Sequence, residues 1–243
     1  MRNSFCKTGL TRQSPFGFAC SRCLGCCRFK KIQLNPYEIA RLADNRDMTT
    51  TAFIGQYTTG GTILQTNTEG TCVFLDAEGC AVHPDRPLVC RLYPLGRFVD
   101  YLGVETFAQI PLEEGCQGVL HENGTVTQYL EEQGALPFMR AADRYLDLLW
   151  HLMETLKEQE LAPSQSETVL AAVRAVADGA DGPEAAWVDM DRAVADYCSR
   201  SNLPVPEEID EKMAMHIKAV REWAAYYEGG DDHGVNIATT APR

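Results

Sequence analysis

Eight cysteines crowd into the first half of the chain in a pattern that is typical of metal ligation. They are Cys20, Cys23, Cys26, Cys27, Cys72, Cys80, Cys90 and Cys116. Thiolate sulfur is a soft ligand that selects zinc or iron–sulfur clusters over magnesium or calcium. We therefore predict that these eight cysteines are metal ligands, and that the centre they form is the functional site.

The first cysteine run contains two successive C-x-x-C steps, Cys20-x2-Cys23-x2-Cys26, followed directly by Cys27. A C-x-x-C step is short enough to place two thiolates on one metal centre, and Gly25 is expected to let the backbone turn inside it. We predict that Cys20, Cys23 and Cys26 share one centre. Cys27 points elsewhere in almost any backbone conformation, so it either serves a second centre or lies beside the first without ligating.

The second run begins with Cys72 and Cys80, which flank a predicted turn at residues 76–79. This turn is expected to bring the two thiols together. Cys80-x-x-His83 also has ligand spacing, and Cys116 completes the set of eight. Eight thiols suit either two four-coordinate sites or one four-thiolate site with spare thiols.

Three polar residues near the second run are expected to support the ligands rather than to bind metal: His83, Arg86 and Arg91. Arg91 stands beside Cys90 and can donate a hydrogen bond to its thiolate. The alternative for Arg86 and Arg91 is a structural or surface ion pair. Tyr93, before Pro94, is expected to be a packing residue.

The spacing alone does not choose the metal. The compact triple step of the first run is more typical of a loop around a cluster than of the paired knuckles of zinc ribbons. An iron–sulfur cluster is therefore slightly favoured over Zn²⁺. Two known cluster motifs are excluded, because the C-x3-C-x2-C and C-x2-C-x2-C-x3-C-P patterns would each need a cysteine at the position of Lys30.

Together, these motifs resemble the YkgJ-type cysteine-cluster (CxxCxxCC) family, described as zinc- or iron-chelating proteins. The resemblance covers roughly residues 18–120. It lies in the first cysteine run, in residues 36–42, in Cys72-x-Phe74-Leu75, and in Arg86-Pro87-Leu88-x-Cys90-Arg91-x-Tyr93-Pro94. It implies metal chelation, with a distant similarity to flagellin lysine N-methylases.

The net charge and the cysteine count limit the classes of partner and the cellular compartment that we expect. The net charge of −12 argues against nucleic acid as a partner, since such binders need a positive surface. Neither an apolar leader near the N-terminus nor a stretch of 18 apolar residues is present, so we expect a cytoplasmic chain that does not associate with a membrane. Thiols stay reduced in that compartment, and a disulfide framework would require export. The basic side chains of Arg22, Arg28, Lys30 and Lys31 either offset thiolate charge or form a solvated basic face.

The predicted fold class is α+β, mostly α, with an irregular metal-nucleated cysteine module followed by a helical bundle. We place the module at 1–122, the helical region at 123–228 and a disordered tail at 229–243. In the module, Asn35 is expected to cap a helix over 36–45, and Thr50 or Thr51 to open a second. Short strands are predicted at 72–75 and 81–83, and a hairpin at 97–110.

In the helical region, apolar residues recur at helical spacing. One predicted helix covers about 137–160, with its apolar face listed as Phe138, Ala142, Tyr145, Leu149, Leu152 and Leu156. A second follows Pro206, where His216 lies on the apolar face and is expected to be a core residue. Weaker helices are predicted at 166–178 and 184–198.

Three functions remain open from the sequence. The first is a metal-binding protein whose centre is structural or redox-active. The second is an enzyme similar to a protein-lysine methyltransferase, in which the helical half would bind a protein substrate. The third is an adaptor, braced by zinc, whose helical half would bind a protein partner.

Overall fold

The computed structural model describes residues 7–158 and 187–228 of the 243-residue chain. These residues form seven α-helices and four two-stranded antiparallel sheets. The predicted class, α+β and mostly α, is confirmed. The predictions for residues 166–178 and for the tail at 229–243 lie outside the described residues.

The helices in chain order are α1 (Pro36–Asn45), α2 (Thr50–Tyr57), α3 (Leu88–Leu92), α4 (Val126–Glu132), α5 (Leu136–Glu158), α6 (Met190–Ser201) and α7 (Ile209–Glu228). The strands are β1 (Pro15–Ala19), β2 (Thr58–Thr59), β3 (Ile63–Leu64), β4 (Leu75–Asp76), β5 (Gly79–Cys80), β6 (Leu95–Val99), β7 (Glu105–Gln109) and β8 (Val119–Thr125). Strand β1 pairs with the distant β8, whereas the other three sheets are local hairpins.

Helix α1 forms where the sequence predicts it, because its start is specified locally. The side chain of Asn35 accepts the backbone N–H of Glu38, and the carboxylate of Glu38 accepts the N–H of Asn35, while Pro36 occupies the first turn. This is a complete capping box. Helix α2 starts at Thr50 as predicted, and its capping side chain is that of Thr49.

Both predicted hairpins of the module are present. The hairpin of β6 and β7 covers residues 95–109, against the predicted 97–110. The strands β4 and β5 are shorter than the predicted 72–75 and 81–83, and they lie closer to the turn. The predicted strand at 81–83 is replaced by a turn at 81–82 and a 3-10 helix at His83–Asp85, where Pro84 lacks an N–H for sheet pairing.

The predicted helix at 137–160 is confirmed as α5, but part of its predicted buried face is wrong. Ala141 and Leu148 are fully buried, whereas the predicted Ala142 and Leu149 are only partly buried. Positions 141 and 142 are both alanine, and positions 148 and 149 are both leucine. The spacing of apolar residues therefore does not decide which member of each pair is buried. The predicted helix at 184–198 begins only at Met190 within the described residues.

His216 is a core residue of α7, as predicted. Its side chain is 1% exposed and lies 3.0 Å from the hydroxyl of Tyr145 and 2.9 Å from the carbonyl of Trp187. The carbonyl only accepts, so Nε2 of His216 carries the proton, and Nδ1 accepts from Tyr145.

One apolar core joins the first half of the chain to the helices of the second half. Phe16 and Phe107 from the strands belong to the same buried cluster as Tyr145, Val194 and Met213 from the helices. A second buried cluster lies under the cysteine run at 72–80 and is built around Ile39, Phe53, Phe74 and Val82. The cysteine-bearing segments therefore rest on a packed support.

Within 7–158 and 187–228, no helix has both the length and the apolar character needed to cross a membrane.

Candidate metal centre

The loop that carries the first cysteine run has an unusual backbone. Arg22, Leu24 and Phe29 all adopt left-handed conformations, with φ of 54°, 62° and 55°. Such a conformation costs roughly 1–2 kcal/mol at a residue other than glycine, and strain of this kind clusters at functional sites. Gly25 lies inside the turn, as expected, but the left-handed conformation falls on Leu24, ahead of the 3-10 helix Gly25–Cys27.

Two backbone hydrogen bonds attach this loop to the second cysteine segment. The N–H of Cys72 donates to the carbonyl of Cys27 at 3.0 Å, and the N–H of Phe29 donates to the carbonyl of Gly70 at 2.7 Å. Cys27 and Cys72, which are 45 positions apart in sequence, are therefore held on adjacent backbone segments.

The β4–β5 hairpin brings Cys80 back towards Cys72, as predicted. The carboxylate of Asp76 accepts the N–H groups of Glu78 and Gly79 at 2.8 and 3.0 Å and fixes the turn. The electrostatic effect of Cys80 on Cys72 contributes to the raised pKa of the Cys72 thiol, after the larger effect of burial.

Cys90 is placed by helix α3, which is attached to α1 through a buried carboxylate. Glu38 is 4% exposed and accepts the N–H of Leu88, at the start of α3, at 2.7 Å. Cys90 is exposed to solvent, although many protein atoms surround its thiol. Burial raises the pKa of its thiol, and the nearby Cys72 and Cys80 raise it further.

These segments assemble a five-thiol group, which we define as Cys26, Cys27, Cys72, Cys80 and Cys90. The thiol of Cys27 donates a hydrogen bond to the sulfur of Cys26, and this bond lowers the pKa of Cys26 to about 7. The same bond, burial and the charges of Cys26, Cys80 and Cys90 raise the pKa of Cys27. The five thiols thus lie within electrostatic range of one another, and they hinder each other's ionisation unless a cation is present.

The remaining thiols near the loop form a second unit, the Cys23–Cys116 pair. The thiol of Cys116 donates a hydrogen bond to the sulfur of Cys23. The N–H groups of Gln117 and Gly25 also donate to Cys23, and they lower the pKa of its thiol. The sequence predicted that Cys23 shares a centre with Cys20 and Cys26. That arrangement stays a prediction.

Five of the eight sulfurs accept the N–H of the residue two positions further along the chain. The bonds are Arg22 to Cys20, Gly25 to Cys23, Phe74 to Cys72, Val82 to Cys80 and Gly118 to Cys116. Each bond favours negative charge on sulfur, because an N–H group is a donor and a thiolate is an acceptor. Hydrogen bonds of this kind tune metal-bound thiolates, so the loops are suited to metal ligation.

Three cysteines lie outside both groups. Cys20 is exposed and lies near Tyr129, whose pKa it helps to raise, after the larger effect of burial. Cys198 is 1% exposed in the helical core, and its thiol contacts the carbonyl of Pro204 at 3.5 Å. Cys6 lies outside the described residues.

Arg91, one of the three predicted supporting residues, holds backbone carbonyls. Arg91 is 5% exposed and lies 3.9 Å from the centre of the Phe138 ring. Its guanidinium donates to the carbonyls of Arg86, Gln133 and Pro84, and burial lowers its pKa to about 10. The expected hydrogen bond to Cys90 is therefore replaced by a structural role.

Arg86 contacts His83 and acts on one thiol. The guanidinium of Arg86 donates to the carbonyl of His83 at 2.8 Å and to Gln133 at 2.9 Å. Burial raises the pKa of the Cys80 thiol, and the charge of Arg86 opposes that rise. Lys30 has a similar effect on Cys26 and forms an ion pair with Glu113. These two cations therefore offset thiolate charge.

The sequence interpretation missed a hydrogen-bonding role for Tyr93. Its hydroxyl accepts the N–H of Glu113 at 2.8 Å and donates to the sulfur of Cys116. Burial raises the pKa of Tyr93 to about 12, and the charges of Cys116 and Cys26 add to this effect. The phenol thus contacts Cys116 and lies within electrostatic range of Cys26. Its position before Pro94 gave no signal of this role.

The thiols are arranged as pairs rather than as a closed metal cage. Across the described residues, no three His, Cys, Asp or Glu side chains are grouped closely enough to hold a metal ion. Ligation by four thiols therefore requires side-chain rotation, which the partly exposed positions of Cys26, Cys27, Cys72 and Cys80 permit. The donor chemistry of the five-thiol group fits zinc or iron.

A comparison with known families matches the cysteine-bearing part of the chain. Residues 19–117 match the model of the CxxCxxCC family, described as a putative zinc- or iron-chelating domain. The resemblance inferred from the cysteine pattern is thereby confirmed for this part of the chain, and the domain is of a metal-chelating type. Searches of curated proteins and of solved structures found no match to the chain. The similarity to flagellin lysine N-methylases stays a prediction.

Proposed function

We propose that this chain is a metal-centre protein whose centre is held by the five-thiol group. The observation that carries the proposal is the convergence of these thiols from three elements, which are a strained loop, a hairpin and a short helix. Bringing several half-buried thiols together does not by itself stabilise a fold, because each thiolate raises the free energy needed to ionise its neighbours. A bound cation reverses this cost, since every thiolate then has an opposite charge beside it.

The size of the group supports a centre with more than one metal ion. A mononuclear zinc site is closed by four protein ligands, whereas this group offers five thiols. Adjacent side chains such as Cys26 and Cys27 reach different metal ions more readily than the same one. An iron–sulfur cluster is the form we favour, and its chemistry when bound would be electron transfer or Lewis-acid activation.

Purification without oxygen tests this proposal. The measurements are the absorbance spectrum, elemental analysis for iron and zinc, and acid-labile sulfide. We expect a brown protein in which iron and sulfide are present in similar amounts. A colourless protein that contains zinc and lacks sulfide would support metal binding and exclude the cluster. Protein without stoichiometric metal would refute the proposal.

A further inference from the structure

Strand β6 lies at the outer edge of a small antiparallel sheet. It pairs with β7, and Phe107 of β7 exchanges two backbone hydrogen bonds with Leu10 on the other side. Antiparallel neighbours alternate between pairs that bond to each other and pairs whose N–H and C=O groups turn away. Because Phe107 bonds to Leu10, its neighbour across the hairpin, Arg97, turns its own backbone groups away from β7. The same holds for Val99, two residues further along the strand.

The outward backbone groups of Arg97 and Val99 have no partner within residues 7–158 and 187–228. An unpaired strand edge is a template for a further strand, and proteins commonly block it with Pro, Lys, a β-bulge or a covering segment. The five residues of β6 contain neither Pro nor Lys, and their register with β7 is regular. This edge is therefore open to another strand.

The charged side chains on one face of this sheet are already matched with one another. Arg97 forms ion pairs with Glu105 at 2.5 Å and with Asp143 at 2.7 Å, and its side chain is only 11% exposed. Arg12 forms an ion pair with Glu105 at 2.6 Å. Addition of a strand would therefore leave no unpaired charge in a desolvated position, which is the usual obstacle at a charged edge.

Within this described hairpin, the opposite face carries no charged side chain. Its residues alternate with those of the charged face, and they are Gly96, Phe98, Val104, Thr106, Ala108 and Ile110. Phe98 is 58% exposed, and the ring lies beside Gly96, where an added Cβ would stand 3.2 Å from it. The net charge of −12 is thus absent from the face that a second copy would meet.

We propose that two copies of this chain associate through β6, paired antiparallel about a two-fold axis at Phe98. Arg97 of each copy then exchanges both backbone hydrogen bonds with Val99 of the other. This register suits the strand, since Leu95 is 2% exposed and the accessible edge begins after it. The two Phe98 residues form the central non-hydrogen-bonded pair, with Cα atoms about 4.5 Å apart, so their rings pack together on the uncharged face.

A second copy is the occupant that the edge itself favours. A two-fold interface uses the same surface twice, so it must match itself. The edge does so, because each outward residue offers one donor and one acceptor, and because an exposed Phe98 meets an equally apolar Phe98. The paired edge is short, so the dimer is weak and depends on concentration. The proposal involves no cysteine and is independent of the metal centre.

Sedimentation velocity of the full chain without oxygen, at about 1 to 200 μM, tests the association. We expect a shift from monomer to dimer as the concentration rises. Phe98→Lys and Phe98→Glu should each be monomeric, because like charges directly opposite each other destabilise a strand pair. An equimolar mixture of the two variants should form a dimer again, because Lys then faces Glu. Leu203→Lys, at a 43% exposed apolar position after α6, is the control and should dimerise like the wild type.

Hydrogen exchange of the wild-type chain locates the contact. The amides of Arg97 and Val99 should become protected as the dimer forms, whereas the amide of Phe98, which faces β7, should be protected throughout. A chain that stays monomeric, a dimer that persists in both Phe98 variants, or a mixture that stays monomeric would overturn the proposal. Protection of Arg97 and Val99 in the monomer would also overturn it, because the chain's own segment would then cover the edge. Circular dichroism verifies that each variant is folded.

Discussion

The buried carboxylate of Glu38 accepts the backbone N–H of Leu88 at 2.7 Å, across 50 positions of sequence. The other carboxylate oxygen accepts the N–H of Asn35 at 2.9 Å and completes the cap of α1. One side chain therefore fixes the start of α1 and the start of α3, which carries Cys90. Through this contact, the packed support positions one thiol of the metal centre.

Replacement of Glu38 by Gln should destabilise the fold and loosen Cys90. The amide keeps one acceptor but turns an NH₂ group towards an N–H donor, so a buried hydrogen bond is lost at a cost of about 1–3 kcal/mol. Chemical denaturation measures the loss, and elemental analysis measures any drop in metal content. Asp44→Asn, at an exposed position of the same helix, is the control and should change neither. Equal stabilities of the two variants would contradict this role.

Tyr93→Phe should slow alkylation of Cys116. The hydroxyl donates to the Cys116 sulfur and lowers the pKa of that thiol, which burial otherwise raises. Its loss raises the pKa further, and each unit reduces the thiolate fraction about tenfold at a given pH below the pKa. Mass-spectrometric rates of iodoacetamide labelling report the change. Tyr101→Phe, at an 80% exposed position, should label like the wild type. Unchanged labelling of Cys116 in Tyr93→Phe would contradict the hydrogen bond.

His216 should make the fold sensitive to acid. Burial lowers its pKa from 6.5 to about 4, while the charge of Asp189 opposes this shift in part. Above pH 6.5 the imidazole is neutral in both folded and unfolded chains. As the pH falls towards 4, the unfolded chain binds the proton first, and stability is lost by about 3 kcal/mol over that window.

Replacement of His216 by Gln should remove this part of the pH dependence, although stability at pH 7 will fall because the packing changes. Chemical denaturation at several pH values between 7 and 4 measures the slope. His151→Gln on the exposed side of α5 is the control and should retain the wild-type slope. Identical slopes in wild type and His216→Gln would show that the buried imidazole does not titrate as described.

Removal of metal by a strong chelator should loosen the cysteine segments and spare the helices. The amides of Phe29 and Cys72 donate across the two cysteine segments, so they should exchange hydrogen faster once the thiols are released. Metal binding at structural thiolate sites contributes about 10–16 kcal/mol, which is as large as the stability of a typical domain. The amides of Val194 and Met213, in the buried helical core, are the internal control. Unchanged exchange at Cys72 after complete metal removal would contradict the coupling.

Local signals in the sequence were sufficient for several elements. Asn35, Pro36 and Glu38 specify the start of α1 within four positions, and the turn at Asp76 specifies the hairpin that brings Cys72 and Cys80 together. The helical spacing of apolar residues was enough to predict α5 and α7 and to place His216 in the core. These features depend on neighbours in sequence, so they can be inferred from sequence.

Features that depend on distant contacts could not be inferred. The left-handed conformation of Leu24 has no sequence signal, because side chains other than glycine rarely adopt it. The pairing of β1 with β8 and the contact of Cys23 with Cys116 each join segments about 100 positions apart, and nothing local specifies them. The sequence suggested only a packing role for Tyr93, because its hydrogen-bond partners, Glu113 and Cys116, are not its neighbours in sequence.

The metal-to-chain ratio of single cysteine variants, purified without oxygen, tests the central claim most directly. Cys26→Ser and Cys80→Ser each remove one thiol of the five-thiol group, and Cys198→Ser removes a buried thiol of the helical core. The account predicts that the first two lose most of their metal and that Cys198→Ser retains the wild-type ratio. Wild-type protein without metal, or equal metal in all three variants, would contradict it.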